Sequence, residues 1–250
     1  MISVKTPKEI ALMRQAGRIS ARALALGGEA VRPGVTTAHI NKVIHDYIIS
    51  QGAKPNFLGL YGFPASACIS VNDTVIHGIP STSQVIREGD IVSIDTGALY
   101  KGWHGDNAGT FIAGEGSEEA RRLIEVTTQS FYEGLKMAVA GNRIGDISHA
   151  IQEYVEAHGY SVVREFVGHG LGRELHEDPE VPNYGHPGRG ARLVPGMTLA
   201  IEPMVNAGTA AVRQLGDGWT VKTKDGALSA HFENSVVITA NGPVILTDPN

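Results

Sequence analysis

The chain has 250 residues, 42% hydrophobic and 19% charged, with a formal net charge of −5. That length can bury a sizeable core. The mild acidity and the lack of like-charge blocks argue against a nucleic-acid surface, and no apolar run reaches the length of a membrane span. Cys68 is the only cysteine, which rules out an internal disulfide and favours a reducing, cytoplasmic compartment. The opening Met1-Ile2-Ser3-Val4-Lys5 shows no secretory pattern.

Thr6-Pro7-Lys8-Glu9 predicts the start of a first helix, with Thr6 as N-cap, Pro7 at the first helical position and Glu9 completing a capping box. Apolar residues at helical spacing, Ile10, Met13, Ala16, Ile19 and Ala23, carry it to about Ala30. After Pro33-Gly34, Thr36 or Thr37 caps a second helix that ends at Gly52. Residues 67–71 and 74–78, around the Asn72-Asp73 turn, read as a hairpin. Residues 90–97 read as a buried strand, with 106–112 as its partner. Ser117 caps a third helix to about Ala140, and a fourth runs from Asp146 to His158. The fold class is α/β (α+β), an antiparallel β-sheet with helices on one side, in a single domain over 1–250.

Shifting the first half by 107 positions sets Gly34 on Gly141, Ile44 on Ile151, Gly52 on Gly159 and Asp95 on Glu202. A shift of 127 sets Asp106-Asn107 on Glu233-Asn234. This predicts an internal duplication, roughly 6–112 and 117–240, with two carboxylates in each half. A hairpin centred on Tyr100-Lys101 would place Asp95 directly opposite Asp106, where like charges repel unless a cation intervenes. With His169, in the glycine-punctuated Gly168-His169-Gly170-Leu171-Gly172, the four carboxylates make a ligand set suited to two divalent ions roughly 3.5–4 Å apart. Oxygen-rich ligation with one nitrogen fits Co, Mn, Fe or Zn. His176 is assigned to the substrate. His39, His45, His149 and His158 read as surface or cap residues, His104, His186 and His231 are given no role, and Cys68 reads as a small buried apolar residue.

The motifs Asn72-Asp73-Thr74-Val75-Ile76-His77-Gly78, Ser93-Ile94-Asp95-Thr96-Gly97, His104-Gly105-Asp106, Gly168 to Glu177, Ile201-Glu202-Pro203 and His231-Phe232-Glu233-Asn234 resemble those of the type I methionine aminopeptidases over essentially the whole chain. The resemblance implies a pita-bread fold with two pseudo-twofold halves. It also implies metal ligands Asp95, Asp106, His169, Glu202 and Glu233, and substrate contacts from His77 and His176. A monovalent-cation site (Na or K) near Asn72, Thr74 and Ser229 follows from it too. The first side chain would enter an apolar pocket of Phe57, Leu60, Phe63, Cys68, Leu175 and Trp219, four of which depart from the family's usual tyrosine, cysteine or phenylalanine.

The implied activity is removal of the initiator methionine from nascent polypeptides, possible at the ribosome and in the cytoplasm, by a monomeric metalloprotease. Glu202, His176 and His77 are the catalytic candidates: Glu202 as proton acceptor, His176 as donor to the carbonyl oxygen, His77 at the peptide nitrogen. The alternatives are a proline-specific aminopeptidase or dipeptidase of the same fold, and a non-catalytic binding protein of that fold.

Overall fold

The computed structural model describes residues 2–249; Met1 and Asn250, the ends of the expected domain, lie outside the described residues. Helix α1 (Pro7–Glu29) starts as its sequence predicts, the Thr6 hydroxyl accepting the Glu9 N–H and the Glu9 carboxylate accepting the Thr6 N–H. Each bond satisfies a backbone donor that the first helical turn leaves unpaired. Thr36, rather than Thr37, caps α2 (Thr37–Ser50) by accepting the His39 N–H.

The second helix pair differs from expectation at its facing ends. Helix α3 (Glu118–Met137) stops short of Ala140, because Ala138 turns out of the helical region at ψ 51° and the Asn142 side chain donates to the Met137 carbonyl. Helix α4 (Ile144–Ala157) begins before Asp146. Asp146 is its third residue, and its carboxylate reaches back to accept the Arg143 N–H at 2.7 Å. That bond starts a helix without a Ser or Thr cap.

The strands are short: β1 (Lys54–Pro55), β2 (Ala67–Val71), β3 (Thr74–Ile76), β4 (Ile91–Tyr100), β5 (Trp103–Ile112), β6 (Ser161–Val162), β7 (Gly168–Gly170), β8 (Glu177–Val181), β9 (Thr198–Ile201), β10 (Met204–Asn206), β11 (Val212–Gln214), β12 (Val221–Thr223), β13 (Ser229–His231), β14 (Glu233–Thr239) and β15 (Gly242–Ile245). The main sheet has nine strands in the order β1-β4-β5-β14-β9-β7-β8, with β2 on β4 and β15 on β14. Two three-stranded sheets, β13-β10-β6 and β11-β12-β3, flank it.

Two strand expectations need correction. Strands β2 and β3 do not form a hairpin ladder: β2 pairs with β4, and β3 pairs with β12 in another sheet. Asn72 sits between them at φ 54°, its side chain bonded to Asp90 and to the Ile91 N–H, which directs the chain across β4. The β4–β5 hairpin turns on Lys101-Gly102, both at positive φ, and not on Tyr100-Lys101. That two-residue turn suits the strand twist. The strands are longer than expected and the register moves by two residues, so Asp95 faces Ala108 and Asp106 faces Gly97.

Helix α1 lies on the face of β4 and β5 opposite to Asp95 and Asp106, its Ser20 hydroxyl donating to the Thr96 carbonyl and the Asn107 side chain. The approach is close: a Cβ on Gly105 would come within 2.5 Å of the Gly17 nitrogen. One core gathers Ile40, Ile44, Ile48, Ile69 and Ile94 beneath α1 and α2. Another gathers Leu123, Phe131, Ile147, Ile151 and Leu199 beneath α3 and α4. Among the described residues no helix is long and apolar enough to cross a membrane.

Candidate active site

Side chains alternate across a strand, so each row across a sheet presents one residue per strand to a given face. One row runs Asp95 on β4, Ala108 on β5 and Glu233 on β14. One step beyond the Asn234–Ile201 pair, it reaches Glu202 at the end of β9. The neighbouring row runs from Gly97 through Asp106 to Ser235, whose hydroxyl accepts the Asp106 N–H and donates to its carbonyl. It continues through Ala200 to His169 on β7. Small residues therefore alternate with the functional ones. A Cβ on Gly97 would fall 2.8 Å from Asp106 Oδ1, so only glycine leaves room for that carboxylate.

His169 fixes its own tautomer. Its Nδ1 donates to the Gly170 carbonyl at 2.8 Å, leaving the Nε2 lone pair 3.8 Å from Asp106 Oδ2 and 3.6 Å from Glu202 Oε1. One ligand atom each from Asp106, His169 and Glu233 lies within 4.8 Å of the others. Buried Asp95 Oδ1, Asp106 Oδ1 and Glu233 Oε1 have no hydrogen-bond partner. Among the described residues, no Lys or Arg lies within 4.0 Å of these carboxylates; the only ring nitrogens that close belong to His169 and His231.

That crowding moves every proton affinity. Burial pushes Asp95 up to about 7. Burial, then neighbouring negative charge, holds Asp106, Glu202 and Glu233 well above the carboxylate range. Burial holds His169 and His77 down to about 4, with His176 adding to both. Four carboxylates in a hollow with orphaned oxygens and one neutral imidazole form a donor set that fits divalent cations, which would supply the missing positive charge.

Beside the carboxylates opens a cavity of about 420 Å³ lined by Phe57, Leu60, Phe63, Cys68, His77, His176 and Trp219. Leu175 packs into the same apolar cluster, which also takes in Ala65 and Ile79. His77 is at φ 58° with its ring edge-on to Phe166 and Trp219. His176 stands edge-on to His169 at 4.5 Å between ring centres. Tyr61, Ile76, Phe166, Val167 and Glu180 also line the cavity and carried no role in the sequence reading. Neither did His231, which is fully buried with Nε2 3.9 Å from Glu202 Oε2. Its place two residues before Glu233 was the available signal. Asn72 and Ser229 adjoin through the bond from the Ser229 N–H to the Asn72 carbonyl, and Thr74 follows on β3.

A profile of metallopeptidase family M24 matches residues 11–240. The chain belongs to that family. It is 57% identical over 247 residues to a methionine aminopeptidase of Clostridium acetobutylicum, with 99% of each chain covered. It is 51% identical over 247 residues to methionine aminopeptidase 1 of Bacillus subtilis, again with 99% of each covered. A crystal structure of methionine aminopeptidase from Thermotoga maritima superposes with a TM-score of 0.98 at 48% identity, over 99% of this chain and 100% of that one. The M24 chain therefore has the pita-bread fold of these relatives, and family membership brings divalent metal use.

Proposed function

We infer that this M24 chain is a metallo-exopeptidase that removes the N-terminal methionine from polypeptides whose second residue is small. The observation that carries the reading is a cavity apolar at one end and walled by four carboxylates and a neutral imidazole at the other, in a chain 57% identical to a named methionine aminopeptidase. The proline-specific alternative recedes, because the relatives matched over their full length carry the methionine aminopeptidase name. Nascent polypeptide N-termini in the cytoplasm are the substrates this implies. The paired helices over separate cores support a single catalytic domain built by duplication.

Asp95, Asp106, His169, Glu202 and Glu233 would hold two divalent ions, whose Lewis acidity would polarise the scissile carbonyl and acidify water. The methionine side chain enters the cluster of Phe57, Leu60, Phe63, Cys68, Leu175 and Trp219, which presents no charged anchor and selects by size and shape. Glu202 accepts a proton from the attacking water and returns it to the leaving amine. Burial keeps His176 neutral near pH 7, so its ring N–H donates to the carbonyl oxygen as negative charge develops. His77 contacts the peptide nitrogen. A monovalent cation at Asn72, Thr74 and Ser229 is supported by the adjacency of Asn72 and Ser229.

The test compares kcat/KM for Met-Ala-Ser, Met-Leu-Ser and Lys-Ala-Ser, with and without prior chelation. Methionine release is expected from the Ala peptide, at least about a hundredfold less from the Leu peptide, whose bulk would displace the carbonyl, and none after chelation. Equal turnover of the Ala and Leu peptides would overturn the second-residue rule, and cleavage after Lys would overturn the pocket.

A further inference from the structure

The loop joining the two buried phenylalanines of the pocket, Phe57 and Phe63, is tightly cross-braced. Gly59 donates to the Phe63 carbonyl, Leu60 to Phe57, Gly62 to Gly59 and Phe63 to Leu60. These bonds hold Tyr61 at φ 51°, ψ 19°, a left-handed conformation that a bulky residue adopts at a cost. Core packing does not account for that cost, because Tyr61 is 77% exposed. Instead its ring runs nearly parallel to that of His176, at 12° with centres 6.1 Å apart, and it lines the mouth of the same cavity. Backbone strain of this kind clusters at active sites and ligand clamps.

We propose that Tyr61 is the platform for the third residue of the peptide, and that it favours an aromatic side chain there. The proposal rests on the reading above, in which the first side chain fills the apolar pocket and the scissile carbonyl lies against His176. Tyr61 stands beside the His176 ring on the lining of that cavity, within reach of a chain that continues outward from the carbonyl. Two aromatic rings in offset or edge contact give a preference of about three- to tenfold over glycine. The contact forms equally in ground and transition states, so the preference resides in KM and leaves kcat alone.

The experiment measures kcat and KM for Met-Ala-Trp-Ser and Met-Ala-Gly-Ser with the wild type, Tyr61→Phe and Tyr61→Asn. Asparagine tolerates the left-handed conformation, so it removes the ring without forcing the loop to refold. The wild type and Tyr61→Phe are expected to favour the Trp peptide through KM, and Tyr61→Asn to bring the ratio to about one. A ratio unchanged in Tyr61→Asn would overturn the platform, as would equal loss on both peptides, which would show that Tyr61 only steadies His176. A wild type without preference would overturn it also. A wild type that releases no methionine from either peptide would instead remove the underlying function, and the platform with it.

Discussion

At the scale of single residues, the site depends as much on what is small as on what is charged. Gly97, Ala108, Ala200 and Ser235 occupy the rows beside Asp95, Asp106, His169, Glu202 and Glu233. Their lack of bulk leaves the hollow into which the carboxylates point. His176 is different in kind, since its ring stands nearly at a right angle to that of His169 and lines the neighbouring cavity. Replacing His176 with Ala is expected to lower kcat about 10²- to 10³-fold, the usual effect of losing one oxyanion donor. Bound metal, measured by elemental analysis, is expected to stay at the wild-type amount. A collapse in metal content would make His176 a ligand and remove its role as donor.

At the scale of elements, the segment between β7 and β8 carries His176 and has little regular structure of its own. Glu177 braces it: one carboxylate oxygen accepts the Arg173 and Glu174 N–H groups at 2.8 and 3.2 Å. The other accepts Lys5 Nζ at 2.7 Å and the Ser3 hydroxyl at 2.6 Å. Burial alone would raise the proton affinity of Glu177, but the bonds from Lys5, Ser3 and the Glu174 N–H outweigh it. The N-terminal segment thus ties down the loop that presents His176. Lys5 is 4% exposed at its side chain and Glu177 15%. Removing one partner of a buried pair costs about 3–5 kcal/mol, and the partial exposure of Glu177 sets Lys5→Met near the lower end. Urea unfolding measures it; a loss of less than about 1 kcal/mol, as for a surface pair, would mean the brace is not buried in effect.

At the scale of the whole molecule, residues far apart in the chain meet at one place: Asp95 and Asp106 from the first half, His169, Glu202 and Glu233 from the second. Metal held there would join the halves, and its removal should leave a pH signature. The carboxylates have folded values raised from 3.8 or 4.5, Asp95 to about 7 and the others well above the ordinary carboxylate range. The folded state therefore binds more protons than the unfolded one, and stability falls as pH rises through that window. The histidines run oppositely. His77 and His169 at about 4 and His231 at about 3 lie below 6.5, so their contribution is complete above pH 6.5 and lost below it. Between pH 6.5 and 8 only the carboxylate effect remains. The Tm of chelated protein is expected to fall across that interval, and added Mn or Co to flatten it. An equal Tm at both pH values in the chelated protein would contradict the repulsion inferred at the site.

What the sequence determined by itself was local. The capping box at Thr6-Glu9, the helical apolar periods and the turn glycines depend on neighbours a few residues away, and the four helices appear where their signals lie, the facing ends of α3 and α4 excepted. The types of the candidate ligands were legible for the same reason, since each stands in a short motif. Register was not local. Asp95 faces Ala108, and β2 leaves its apparent hairpin partner for β4, because strand pairing is settled by which turn the Lys101-Gly102 backbone can make and by what covers each face. His231 beneath Glu202 and Tyr61 against His176 were likewise decided by tertiary structure. Their partners are distant in the chain, and no spacing within the chain records a contact that only folding creates.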